Sequence, residues 1–509
     1  MNLEQSTCAS SDAASAWDQL DWPAHERRVR RLQARIVEAT RAKRWGKVKA
    51  LQRLLTHSFS GKALAVKRVT GNKGKDTPGV DGATWQKPET RYRAIGSLRR
   101  RGYRPQPLRR VHIPKANGKL RPLGIPTMRD RAMQALYLLA LEPVAETLAD
   151  PNSYGFRAER STADAIEQCF KLLSRKTAPE WVLEGDIQGC FDHISHGWML
   201  THIPTDTEVL GKWLRAGFVE NRRLFPTEAG TPQGGIISPT LANMTLDGLE
   251  RALGERFFRT GFRRGEHYNP KVSLVRYADD FIITGCSREL LENEVRPLVE
   301  RFLNERGLRL SPEKTKVTHI SEGFDFLGQN LRKRGGKLFV RPSKKNLHGF
   351  LEKIRAILRD NPSIAQAELI WYLNRVLRGW LGYHRHITAT ATFRKVDLVI
   401  WHRLWRWVRR RHPNKSADWM YRRYWHPVGG RKWTFAAERE RTPEGQPSWW
   451  SLIYATDVRI RRHLKIKADA NPFDPRWRAY FEERAILKRV DPKIARFLRA
   501  KSVVKTGVA

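Results

Sequence analysis

Cysteine is scarce in this chain. Cys8, Cys169, Cys190 and Cys286 are the only four, and no Cys-x-x-Cys pair occurs, so neither a disulfide framework nor a cysteine zinc site is encoded. Long apolar runs are missing too. The longest, Ala135 to Leu141, falls far short of the ~20 residues that span a bilayer, and no membrane partner is expected. Acidic residues are outnumbered, 52 Asp plus Glu against 95 Lys plus Arg, for a net charge of +43. That balance argues against cationic or purely apolar partners and favours a polyanion. The first 26 residues hold five acids and no Lys or Arg, which excludes a secretory signal and an Arg-rich presequence and predicts a reducing, cytoplasmic setting.

What is present is a chain of 509 residues with 40% hydrophobic side chains, enough for roughly three domains with buried cores. Residues 1–25 are polar and Ser/Ala-rich and read as a flexible tail. Val29, Leu32 and Ile36, then Val48, Leu51 and Leu55, fall at helical spacing and predict a helical extension over 26–75. Basic residues fill its other faces with few acids among them. Arg27, Arg28, Arg31, Lys43 and Arg44 are therefore candidates for phosphate contact. The loop from Thr70 to Gly79 lacks Walker spacing, so nucleotide hydrolysis gains no support. Residues 132–345 alternate short apolar strands with helical stretches, as in an α/β or α+β domain.

Two places carry acids where chemistry can use them. Val275-Arg276-Tyr277-Ala278-Asp279-Asp280-Phe281-Ile282-Ile283 reads as strand, tight turn, strand, with a carboxylate pair at the tip. Alone it is weak, since Asp is an ordinary turn residue. Trp181 to Asp186 is a second apolar strand ending in an acid. Such an acid is costly unless paired or bound to metal, and two brought together from separate strands would repel without cations between them. That arrangement suits two-metal nucleotidyl transfer.

The order of blocks resembles the group II intron-encoded reverse transcriptases/maturases. Ile113-Pro114-Lys115 with Gly118 to Pro126 is similar to the first fingers block, and Asn152 to Arg157 to the next. Asp186 to Asp192, with Ile194 and His196, is similar to the first catalytic block, and Gly230 to Pro239 to the template and dNTP block. Tyr277 to Asp280, Leu310 to Thr315 and Gly323 to Gly328 follow in the family's order. The resemblance implies an α+β right-hand polymerase: fingers and palm with an antiparallel palm sheet, a helical thumb and a small C-terminal DNA-binding domain. It implies Asp186, Asp279 and Asp280 as the catalytic triad, with Ile187 counted in the site of two Mg²⁺ ions. It also implies Lys115 and Arg121 on the triphosphate of the incoming dNTP, and Gln233 against its sugar. Phe191 becomes a steric gate that favours DNA product. Gly234 and Gly235 are expected to let backbone approach nucleic acid. Asp192 receives no metal role.

Residues 371–435 hold 15 Lys plus Arg, two acids and eight of the 18 Trp. Trp401 and Trp405 favour a core reading. Arg403, Arg406, Arg409 and Arg410 suit RNA phosphates. Gly379 to His384 resembles the maturase thumb. Arg422 and Arg423, then Arg459 to Lys467 and Asn471-Pro472-Phe473, resemble the DNA-binding region. The expected domains are therefore 26–75, 76–344 for fingers and palm, 345–414 for the thumb, 415–485 for DNA binding and 486–509 for a basic tail. No cysteine follows Cys286 and no histidine follows His463, so the HNH endonuclease of many relatives is not expected. The implied partners are group II intron RNA, target DNA and dNTPs, in a bacterial ribonucleoprotein or nucleoid setting, and a homodimer is compatible with the sequence. The implied function is splicing assistance and copying of the intron RNA into cDNA during retrohoming. A splicing-only maturase and a domesticated polymerase for repair or defence stay open.

Overall fold

A computed structural model describes residues 8–114, 118, 120–257, 261–263, 266–439 and 448–490. Lys115 lies outside them, as does most of the expected basic tail. The described chain forms two compact units. The first comprises 8–165, 181–317 and 466–490, and the second comprises 166–180 and 318–465.

The first unit opens with helices that begin where the sequence supplies caps. The Asp21 carboxylate accepts from the Ala24 N–H ahead of Trp22–Arg41, and Ser58 does the same for Gly61 ahead of Phe59–Thr70. With Trp45–His57, these helices bury Val29, Ile36, Val48, Leu51 and Leu55. All three pack on Met128–Leu148, which is buried nearly all round, with Asp130, Arg131, Gln134 and Glu146 among its buried side chains. The tail expected over 1–25 lies outside the described residues up to residue 7, and beyond that it is structured. Cys8–Asp18 is helical, Trp17 is buried, and its ring meets Trp22 edge-on at 4.9 Å. A Ser/Ala-rich composition hid the two tryptophans, Trp17 and Trp22, that meet there.

Next in this unit come two sheets. Leu108–Pro114 and Leu120–Ile125 form an antiparallel hairpin with Arg109 opposite Ile125. The second sheet is the antiparallel one that the α+β expectation requires. Trp181–Asp186 pairs with Asp280–Gly285, which pairs with Ser273–Tyr277. Val182, Leu183, Ile282 and Ile283 are all buried, so the strands read as apolar runs rather than alternations.

The second unit contains the meander Phe324–Phe326, Gln329–Arg334 and Lys337–Pro342, followed by the helices Lys344–Asp360, Gln366–His384 and Thr390–Arg411. Ala417–Tyr424 and the sheet of Trp425–Val428, Arg431–Arg439 and Ser448–Ser451 complete it. The division into units crosses two of the expected boundaries. The meander clusters with the helical thumb rather than with the palm. Residues 466–490, assigned to DNA binding and the tail, belong to the first unit.

Candidate active site

The register of the palm strands sets Asp186 directly opposite Asp280. Asp279 occupies the turn between Ser273–Tyr277 and Asp280–Gly285, where Ala278 adopts φ +58°. All three carboxylates thus meet at one end of one sheet. The turn is held from behind. Tyr154 N–H donates to the Arg276 carbonyl at 2.9 Å and Arg276 N–H to the Asn152 carbonyl at 3.0 Å. Gly155 lies so close that a Cβ there would stand 2.3 Å from the Ala278 nitrogen. Only glycine permits that approach.

Crowding of like charge is the dominant electrostatic feature. Burial raises the Asp279 carboxyl above the usual carboxylate range, and the charge of Asp186 adds to it. Asp280 is exposed as a residue, yet protein flanks its carboxyl. That desolvation, then Asp279 and Asp186, pushes it up to about 6. Lys314 answers part of the charge: its Nζ stands 2.9 Å from Asp186 Oδ2, and this bond raises the ammonium pKa. The Ser311 N–H donates to the Asp186 carbonyl at 2.8 Å. Lys314 was not singled out from the sequence, although its block was; the signal was a lysine in a block that ordinarily follows the paired acids.

A cleft of about 700 Å³ opens over Asp186 and Asp279, with Phe191, Arg121, Gln233 and Lys314 also in its lining. Arg121 Nε donates to Gln233 Oε1 at 2.8 Å, and Gln233 Nε2 donates to the Asp192 carboxylate at 2.9 Å. Asp192 thereby orients a cleft residue. Phe191 is half-buried, and the Phe156 ring meets it edge-on at 6.2 Å. Its carbonyl accepts from the Thr231 N–H at 2.7 Å, which fixes the Phe191 backbone to the 230–235 segment. Ile187 is buried and apolar, so only its backbone is available to a cation.

Three of the expected site residues also serve the protein's own packing. The glycines at 234 and 235 are required by the protein's own packing: a Cβ on Gly234 would come 2.7 Å from the Gly124 carbonyl oxygen, and one on Gly235 would come 2.5 Å from Ser238 Oγ. Arg403 is engaged within its own unit, donating to the Leu351 carbonyl and, at 3.2 Å, to Glu352. Arg406, Arg409, Arg410, Arg422 and Arg423 are exposed, as are Arg27, Arg28, Arg31, Lys43 and Arg44. Arg422 pairs with Asp418 at 2.9 Å. Trp401 and Trp405 stack at 6.0 Å, and Trp405 also touches Trp425.

Residues 113–331 match the family model described as reverse transcriptase (RNA-dependent DNA polymerase). Residues 17–98 match the N-terminal domain of reverse transcriptase, and 347–425 match the maturase-specific domain of group II introns. Protein YkfC of Escherichia coli (strain K12) is 35% identical over 333 residues, which cover 58% of this chain and 86% of that protein. The group II intron-encoded protein LtrA of Lactococcus lactis subsp. cremoris is 31% identical over 384 residues, covering 61% of this chain and 63% of LtrA. The chain belongs to the group II intron-encoded reverse transcriptases/maturases. An uncharacterized 91 kDa protein in the cob intron of Schizosaccharomyces pombe is 29% identical over 406 residues, covering 65% of this chain and half of that one. The reverse transcriptase match makes the chain an RNA-directed DNA polymerase, and its maturase domain makes group II intron RNA its partner. No helix among the described residues is long and apolar enough to cross a membrane.

Proposed function

We propose that the chain copies its group II intron RNA into DNA at the cleft over Asp186 and Asp279, with Asp280 beside them, and that the same protein assists splicing. The observation that carries this reading is the cross-strand opposition of Asp186 and Asp280 beside Asp279. Among the described residues, no three Asp, Glu, His or Cys side chains already stand at metal-ligand spacing. The donor set nevertheless fits: hard carboxylate oxygens suit Mg²⁺, and the crowding that raises Asp279 and Asp280 and draws Lys314 onto Asp186 is a demand for cations. Asp186 and Asp279 would hold the metal, with Asp280 adding negative charge beside them. When bound, two Mg²⁺ ions would sharpen the primer 3′-hydroxyl as nucleophile and neutralise the leaving pyrophosphate.

The chain's own residues supply the rest. Arg121 presents a fork-shaped donor to the triphosphate at the cleft wall, and Lys115 would add a point charge. Gln233, oriented by Asp192, faces the sugar. Phe191 packs where a 2′-hydroxyl would project, which favours deoxynucleotides. The exposed arginines of the amino-terminal and maturase helices supply phosphate contacts to folded RNA and to target DNA. Extension of a primer on an RNA template with Mg²⁺, wild type against Asp279→Ala, tests the reading. Loss of incorporation with retained RNA binding is expected, and equal incorporation by both proteins would overturn it. Absent extension alongside protein-dependent intron splicing would favour a splicing-only maturase.

A further inference from the structure

Asp164 is wholly buried, and two groups from far along the chain meet its carboxylate. The Ile466 N–H donates to Oδ1 at 2.7 Å, and Arg484 Nη2 donates to the same oxygen at 2.9 Å. Arg484 is itself 2% exposed, and its Nη1 donates to the Glu159 carbonyl at 3.1 Å. Arg160 reaches the same segment, with Nη2 at 3.0 Å from the Ala468 carbonyl and 3.3 Å from that of Ala470. An arginine meant for phosphate lies open to solvent, whereas a buried one costs free energy unless its own chain pairs it. Residues 466–490 are therefore built to grip the loop 150–160.

That loop leads to the chemistry. Arg160 shares Glu146 with Arg157, and Arg157 donates to the Ser153 carbonyl at 2.8 Å. Ser153 bridges to Arg276 in the strand that runs into the Asp279 turn, and Gly155 abuts Ala278. Phe156 meets Phe191. Phe156 and Glu159 hold φ of +58° and +59°, a backbone region that non-glycine residues keep only when their surroundings impose it. The imposing surroundings at Glu159 include Arg484.

We propose that residues 466–490 are a positioning element of the polymerase site: through Arg484 and Arg160 they fix the 150–160 loop, and through it the turn bearing Asp279. This rests on the polymerase reading above. Arg484 and Asp164 touch no reacting atom and act through the loop.

The full-length chain carrying Arg484→Met tests it. The expected result is a kcat for dNTP incorporation lower by about tenfold, a dNTP KM within about twofold, and partial recovery in Arg484→Lys. Amide hydrogen exchange should quicken at 152–156 and 273–280, which weaker DNA binding alone would not produce. Unchanged exchange and kcat, or a defect confined to binding of duplex DNA, would overturn the proposal. Should Arg484→Met fail to fold, Arg484→Lys carries the same exchange measurement, because it keeps the charge and loses the two-pronged donor. Exchange also separates this proposal from the polymerase reading. If Asp279→Ala extended primers normally, the polymerase reading would fail, while the exchange response to Arg484 would still decide the brace.

Discussion

The guanidinium of Arg276 has no exposed surface, is ion-paired with Asp247, and donates to the carbonyl of Ala278 at 3.3 Å, one residue before Asp279. A second donation, to Asn243 Oδ1 at 3.2 Å, ties it to the side chain whose Nδ2 donates to the Gly155 carbonyl at 2.7 Å. The turn that carries the paired acids is thus supported by a buried polar network, in which each member left alone would be costly.

Removing one member should show that cost. Arg276→Met is expected to destabilise the fold by about 3–5 kcal/mol, because it strands a buried carboxylate rather than deleting a pair. The double variant Arg276→Met/Asp247→Asn should recover part of the loss. Urea denaturation midpoints of the three proteins check this.

The raised carboxyl of Asp280 sets a pH dependence. It is pushed up to about 6, so it binds a proton below that value and ionises above it. Primer extension at limiting Mg²⁺ should fall as pH drops from about 7 to about 5, and more metal should move the limb to lower pH by competing with the proton. Without metal the sign reverses for stability. The folded carboxyl holds its proton more tightly than the unfolded one, so its ionisation between about pH 4 and 6 weakens the fold as pH rises. Asp280→Asn should therefore raise the unfolding midpoint in chelator above that range. The gain should be on the order of 1 kcal/mol or less, since the residue is solvent-exposed and its charge screened.

Sugar selection should rest on Phe191. Phe191→Ala is expected to raise ribonucleotide incorporation relative to deoxynucleotide by about tenfold or more, since bulk removed from a pocket weakens rejection of the added hydroxyl. Paired kcat/KM measurements for dNTP and rNTP on one RNA template decide it, and an unchanged ratio would remove the gate.

The exposed arginines of the first helices make a salt-dependent contribution. Replacing Arg27, Arg28 and Arg31 with Ala should lower RNA affinity and flatten the plot of log K against log salt. The slope should shrink by about 0.7 to 0.9 for each phosphate that the variant leaves unneutralised. Titrations at several ionic strengths, wild type against the triple variant, read the slope directly.

Much of the site was legible because its signals are local. An apolar strand ending in Asp186 and a strand-turn-strand carrying Asp279 and Asp280 can be read within ten residues each, and the block order supplied their pairing. Asp164 and Arg484 left no such mark. They are separated by most of the chain, and a basic C-terminal composition suits a nucleic-acid tail as well as a buried clasp. Arg403 has partners that spacing cannot show: helical periodicity places it among exposed arginines, while Leu351 and Glu352 of a neighbouring helix accept its hydrogen bonds. The glycines at 234 and 235 have a second reason that their block does not show, since a Cβ on either would meet Gly124 or Ser238. Trp17 shows where composition misleads, a pair of tryptophans outweighing a polar neighbourhood.

The burial of Asp164 beneath Arg484 also orders events during synthesis. A ribosome delivers this acid, the palm strands and the paired-acid turn long before it delivers the arginine that neutralises the acid. Until then Ser161, whose N–H and hydroxyl both donate to Oδ2, is its local partner, and Oδ1 must find water. A chain still on the ribosome therefore carries the 150–160 loop without its brace, and the clasp on Asp164 Oδ1 closes only after the palm strands have been made.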